Sequence, residues 1–245
     1  MKHISVICVN TDKSNTMLIS SKRTQNVDSF DIYLNDQKLE NVNNTKYLGV
    51  VIDQNLIWQN HINYICKKVA PQLAALRRLS NQVPKEVLSA IYLKVIQPSI
   101  DYADTVWGNC PKTYRDMVQR LQNSAARAVS GNFDFINFRG IDIVRELGWQ
   151  NFEERRHFHT ASLVFKCVQG NVPLCLENTF TMASSMHDYP LRDRHHLVLP
   201  HPYKESFKRS FAYDGAKIWN QLPYSIKKSE TIVQFKENYK NHYHN

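Results

Sequence analysis

With 245 residues, 42% of them hydrophobic and 22% charged, the chain can bury one large core or two small ones, which excludes wholesale disorder. Its net charge of +9 points to polyanionic partners, nucleic acid or an acidic membrane surface. The five cysteines are odd in number and never spaced CxxC, which excludes a zinc finger or a disulfide framework and fits a reducing compartment, nucleus and/or cytoplasm.

Seven glycines are few for a sandwich or barrel built on tight turns, so the balance tilts toward helices. The start, Met1-Lys2-His3-Ile4-Ser5-Val6, lacks the long apolar run of a secretory signal. No stretch approaches the ~20 apolar residues of a membrane span, so no membrane partner is expected.

The first ~50 residues read as strands and hairpins. Apolar runs fall at 4–9, 17–19 and 47–52, and 32–39 reads as a hairpin turning over Asn35-Asp36-Gln37-Lys38. From Leu56 the period becomes helical, with Ile62, Ile65, Val69, Leu73 and Leu76 at threes and fours. Pro71 is expected to kink or restart that helix. The next carries Val87, Leu88, Ile91, Tyr92, Val95 and Ile96 until Pro98 bends or ends it. A third carries Met117, Val118, Leu121, Ala125, Ala128 and Val129 and stops at Gly131. Further helices are expected over 141–147 (stopped by Gly148), 152–169 (ended by Gly170 and Pro173) and 205–219, with Ser229 capping the last. Residues 176–205 read as a polar, Arg- and His-rich loop.

Several segments together resemble the C-terminal region of reverse transcriptases from non-LTR retrotransposons of the jockey-like LINE type. Asn10-Thr11-Asp12-Lys13-Ser14, followed by Met17-Leu18-Ile19, resembles the family's Asn-x-x-Lys-[Ser/Thr] segment after the catalytic aspartates. Lys46-Tyr47-Leu48-Gly49-Val50, with Trp58, His61 and Ile62, resembles the join of palm and thumb. Val106-Trp107-Gly108, Leu121-Gln122-Asn123, Ala125-Ala126-Arg127, Leu147-Gly148-Trp149, Arg155 or Arg156, Arg209-Ser210-Phe211 and Trp219-Asn220-Gln221-Leu222-Pro223 continue the series in order.

The resemblance implies a two-metal polymerase whose magnesium ions sit on clustered aspartates. Those aspartates precede the Asn-x-x-Lys segment, which here begins at residue 10. No catalytic residue is therefore expected in this chain except Lys13, the possible palm-motif lysine near the departing pyrophosphate. No cofactor is expected here, magnesium belonging to the full-length enzyme. Tyr102-Ala103-Asp104-Thr105 resembles the family's Asp-Asp motif but lies in a helical pattern. Asp101 and Asp104 are expected to share a solvated polar face.

The residues expected to bind nucleic acid follow from charge and resemblance. Residues 60–85 hold Lys67, Lys68, Arg77 and Arg78 and no acid before Lys85, a pattern suited to backbone phosphates. Lys67 and Arg78, 11 residues apart, fall nearly on one helix face. Tyr47, Leu48 and Gly49 resemble the hairpin that holds the primer end, the alternative being that Tyr47 and Leu48 are core. Arg127 belongs to the resembling helix. Arg192, Arg194 and Arg209 are interleaved with aromatic and histidine side chains that could stack bases. No metal spacing is completed by His195, His196 and His201, and His157 and His159 do not face one ligand. Trp58, Trp107, Trp149 and Trp219 are expected in the core.

The expected fold is mainly α with a small β-rich N-terminal segment (α+β). A palm remnant would occupy 1–53, a thumb-like helical bundle 54–131, and a helical extension 132–245 with its basic loop at about 176–205. The expected function is binding of template and primer, RNA and DNA, without polymerase activity in this chain alone, with the missing palm and fingers portion as a further expected partner. A stand-alone RNA- or DNA-binding protein and an inert helical remnant are the alternatives.

Overall fold

A computed structural model describes residues 10–20, 31–186 and 195–243. The chain is mainly α, and its strands form small two-stranded sheets near the N-terminus. It divides into two compact units, Met1–Tyr64 and Ile65–Asn245. The strand expected over 4–9, and Arg192 and Arg194, lie outside the described residues.

In the first unit a 3-10 turn, Thr11–Lys13, leads to β1 (Asn15–Thr16). The strands that follow are β2 (Tyr33–Leu34), β3 (Gln37–Lys38), β4 (Glu40–Asn41), β5 (Asn44–Tyr47) and β6 (Val50–Asp53). β1 pairs parallel with β4, while β2–β3 and β5–β6 are antiparallel hairpins. Asn35 and Asp36, at φ 50° and 59°, make the two-residue turn whose twist suits a hairpin. The strand expected over 47–52 is instead two strands folded back on each other. Leu48 and Gly49 take φ 46° and 84°, and glycine's freedom at positive φ lets the chain reverse there.

Asp53 closes this unit. Its buried carboxylate accepts the backbone N–H groups of Asn55 and Ile57 at 3.1 Å and of Trp58 at 2.6 Å. Those bonds hold Leu56 and Trp58 in the left-handed region, at φ 51° and 70°, where a side-chain-bearing residue is strained.

α1 (Gln59–Leu79) then runs 21 residues, straight through Pro71. The helix does not restart there, the second of the two outcomes expected. On a 100° helical wheel, Ile62, Ile65, Val69, Leu73 and Leu76 form one buried stripe and Pro71 lies on the opposite side, exposed. The carbonyl that loses its donor to proline therefore faces water, which can replace the bond.

α2 (Lys85–Ile91), a π turn (Tyr92–Ile96) and α3 (Gln97–Asp101) follow one another without a break. Pro98 does not end this helix. Instead Gln97 N–H reaches back to the Tyr92 carbonyl, an i→i−5 bond, just before the proline that cannot donate. The buried residues are Leu88, Tyr92, Ile96 and Ile100, a strict four-residue spacing that the wide turn keeps on one face. Val87 and Val95, expected in the stripe, are 45% and 57% exposed.

After α4 (Asp104–Trp107), α5 (Lys112–Ser130) ends at Gly131 in the left-handed conformation, and α6 (Gly140–Glu146) ends just before Gly148, as the sequence indicates. α5 and α6 pack closely. A Cβ at Gly140 would lie 2.5 Å from Asn123 Cβ, so only glycine lets the two backbones approach this far. α7 (Phe152–Val168) opens with a capping box between Asn151 and Glu154.

Short α8 (Leu174–Glu177) precedes the loop, whose described part holds one isolated bridge, Met182 to Leu197. The helix expected over 205–219 is two: α9 (Glu205–Lys208) and α10 (Phe211–Gln221). The extended backbone of Ser210 breaks it, and the Ser210 hydroxyl caps Tyr213 N–H. α11 (Tyr224–Lys227) and α12 (Ile232–Tyr243) complete the chain. Thr231, not Ser229, accepts from the first turn of α12 at Gln234. Ser229 Oγ donates to the Ile226 carbonyl and accepts from Asn238.

Two apolar groupings organise the second unit. One joins α7, α10 and α12 through Phe165, Trp219, Phe235 and Tyr239. The other sets Tyr92 on Trp149, ring centroids 4.3 Å apart, and Trp107 on Phe152 at 5.5 Å. Trp107, Trp149 and Trp219 are buried as expected, and Trp58 is half-buried.

Candidate nucleic-acid interface

α1 carries its cations where water reaches them. Lys67 and Arg78 lie about 20° apart on the wheel, opposite the buried stripe, and about 16 Å apart along the axis. Lys68 and Arg77 flank that line on either side, and all four side chains are exposed. The helix contains no Asp or Glu. A strand lying along this face meets Lys67 and Arg78, with Lys68 and Arg77 to either side, and no acidic residue of α1. Arg77 also donates through Nη2 to Ser124 Oγ on α5.

Arg127, expected to reach nucleic acid, is 7% exposed, and its guanidinium serves the backbone. It donates to the carbonyls of Asn132 at 3.3 Å, Asp134 at 3.0 Å and Phe138 at 2.6 Å, and lies over the Phe135 ring at 4.2 Å. Arg127 thus shapes the 131–139 loop. That loop exposes Phe133, Phe135, Ile136 and Phe138, four large apolar side chains in nine residues. The alternation in Asn132-Phe133-Asp134-Phe135-Ile136-Asn137-Phe138 between two glycines is the sequence signal that could have singled it out.

In the first unit, Tyr47 and Leu48 are 65% and 74% exposed at the tip of the β5–β6 hairpin, so they are not core. Lys13 is exposed at the end of its 3-10 turn. His61 Nδ1 accepts the Val51 N–H of β6 at 3.2 Å, and burial pushes its imidazole down to about 4, so it stays neutral. Arg209 is half-buried at the end of α9, beside Lys208, which pairs with Glu205. Tyr203, 92% exposed, stands beside His201 with ring centroids 5.4 Å apart.

The acidic residues of the Tyr-Ala-Asp segment do not form the solvated face expected. α3 ends at Asp101, Ala103 takes φ 54°, and α4 begins anew at Asp104. Arg155 grips Asp101 with Nε and Nη2 at 2.9–3.0 Å and also donates to the Gln150 carbonyl. His159 Nδ1 lies 2.6 Å from Asp104 Oδ2. The neighbouring Arg156 is equally buried and bonds Glu153 and Asp214 at 2.7 Å. Both carboxylates are thus paired with side chains of α7, and among the described residues no three His, Cys, Asp or Glu side chains gather to hold a metal ion. Sequence reasoning missed these pairs because their partners are more than fifty residues away.

Comparison with known proteins shows what the chain is similar to. The chain is 27% identical over 128 residues to a probable RNA-directed DNA polymerase from transposon X-element of Drosophila melanogaster, a match covering 51% of this chain. It is 28% identical over 126 residues to the corresponding probable polymerase from transposon BS. Its curated relatives are non-LTR retrotransposon polymerases. The RNA-directed DNA polymerase from mobile element jockey of Drosophila funebris is another, 25% identical over 145 residues. The matches span only 14–16% of these polymerases' own length. No family model matches, and no solved structure matches. The resemblance to jockey-like polymerases read from the sequence is thereby borne out.

Proposed function

We propose that this chain is a nucleic-acid-gripping part of a non-LTR retrotransposon reverse transcriptase, holding template and primer through their phosphates. The observation that carries this reading is the acid-free α1, with exposed Lys67 and Arg78 opposite its buried stripe and exposed Lys68 and Arg77 on its two flanks. The exposed Tyr47–Leu48–Gly49 hairpin tip and the cations Lys13 and Arg209 are further proposed contacts. Arg127 acts on the loop, not on phosphate.

Nucleotide addition needs carboxylates free to seat magnesium, and Asp101 and Asp104 are committed elsewhere. The chain by itself is therefore proposed to bind without polymerising, inside the nucleus or cytoplasm, with the rest of the polymerase supplying the metal site. The test is binding of the purified chain to an RNA–DNA hybrid as salt is raised. Affinity that falls with salt and weakens in Lys67→Gln and Arg78→Gln supports the reading, and no binding even at low salt overturns it. Primer extension by the chain unaided would overturn the second half.

A further inference from the structure

A cleft of about 460 Å³ opens beside the basic ridge, between the end of α1, the middle of α5 and the 131–139 loop. Its lining includes Arg77, Arg120, Asn123, Arg127, Phe133 and Phe135, and no acidic residue. The volume lies within the ~300–1,000 Å³ typical of small-ligand sites. The walls are mainly apolar, while the Arg77 and Arg120 side chains are exposed to solvent.

A cleft with flat aromatic walls and a cationic rim suits one class of ligand well. Phe133 and Phe135 can stack a planar ring, and the guanidinium of Arg127, over the Phe135 ring, fixes that wall by cation–π contact and by its three carbonyl bonds. Arg77 and Arg120 can take the negative charge attached to the ring. Arg77 is also part of the ridge proposed to follow phosphates, so the cleft continues that track. A base paired in a duplex is stacked and cannot enter, whereas an unpaired one can.

We infer that this cleft binds a single unpaired nucleotide of a bound strand, stacking its base on Phe133 and Phe135 and pairing its phosphate with Arg77 and Arg120. The inference rests on the nucleic-acid reading above and adds a preference for single-stranded extensions over blunt duplex. Arg127 acts as a positioning residue, through Phe135 and the loop carbonyls it holds.

The test compares the full chain with Phe133→Ser and Arg120→Gln on two probes: a blunt RNA–DNA hybrid, and the same hybrid with a short single-stranded uridine extension. Stacking of one base is worth ~1–3 kcal/mol, so the wild type should bind the extended probe about tenfold more tightly. Both variants should lose that preference while binding the blunt hybrid as the wild type does. Both positions are exposed, and thermal melting checks that the variants fold. Equal wild-type affinity for the two probes, or a preference that survives in both variants, overturns the cleft and leaves the phosphate ridge standing. If the wild type binds neither probe at low salt, the underlying reading falls as well.

Discussion

The imidazole of His159 and the carboxylate of Asp104 meet at 2.6 Å, joining α7 to α4 across 55 residues of sequence. Burial opposes the charge on both. The bond to Asp104 and its charge outweigh burial for His159 and raise its pKa above 6.5, while burial dominates for Asp104 and raises its carboxyl above the usual range. A histidine whose folded pKa is raised contributes stability that is complete below its unfolded value and is lost as pH rises through the folded one. The second unit should therefore weaken as pH climbs above about 6.5. His159→Gln should flatten that part of the curve, read by hydrogen exchange along α4 and α7.

His61 predicts the opposite response in the first unit. Its pKa falls from 6.5 to about 4 because the ring is buried, so the stability it lends is complete above 6.5 and disappears as pH drops toward 4. Protonation would also end its acceptance of the Val51 N–H. Amide protons of β5 and β6 should lose protection across that window, and His61→Phe should remove the pH dependence.

Arg155 and Asp101 are both largely buried, so removing one partner strands the other. Arg155→Met should cost about 3–5 kcal/mol, seen as a fall in melting temperature. The double variant Arg155→Met with Asp101→Leu should recover much of the loss, because two apolar groups leave no unpaired charge.

Nucleic-acid affinity should fall with salt in proportion to the phosphates engaged. Four contacts from α1 would give a log–log slope near ~−3.6, and Lys67→Gln should make it shallower by ~0.9. Leu48→Ala, at an exposed hairpin tip, should leave stability within ~0.5 kcal/mol and lower hybrid affinity if the tip touches the strand.

The helices that reached the reader through sequence did so where local signals agree. α5, α6 and α7 each end at or just before a glycine or a short glycine-terminated turn, and the apolar period read for α5 matches its buried face. The hairpin over 32–39 is legible for the same reason, although its turn is the shorter Asn35–Asp36 and Gln37–Lys38 form its second strand. Pro71 and Pro98 misled, because a proline's cost depends on which side of the helix its missing bond faces and whether the turn can widen. Those facts belong to tertiary packing. The cations of α1 were legible as a ridge because charge and helical spacing are both local. Arg127, Arg155 and Arg156 look like further cations in sequence, yet carbonyls and acids brought close by folding claim them.

The π turn at Tyr92–Ile96 has a bearing on how this helix tolerates change in length. Losing one residue there would restore ordinary α-helical bonding, and everything after it would swing by about 100°. Asp101 would then leave Arg155, and Ile100 would leave the core. The segment before Pro98 is thus held to its residue count by contacts that lie beyond it, and a single-codon deletion there should be far more damaging than one in the exposed 131–139 loop.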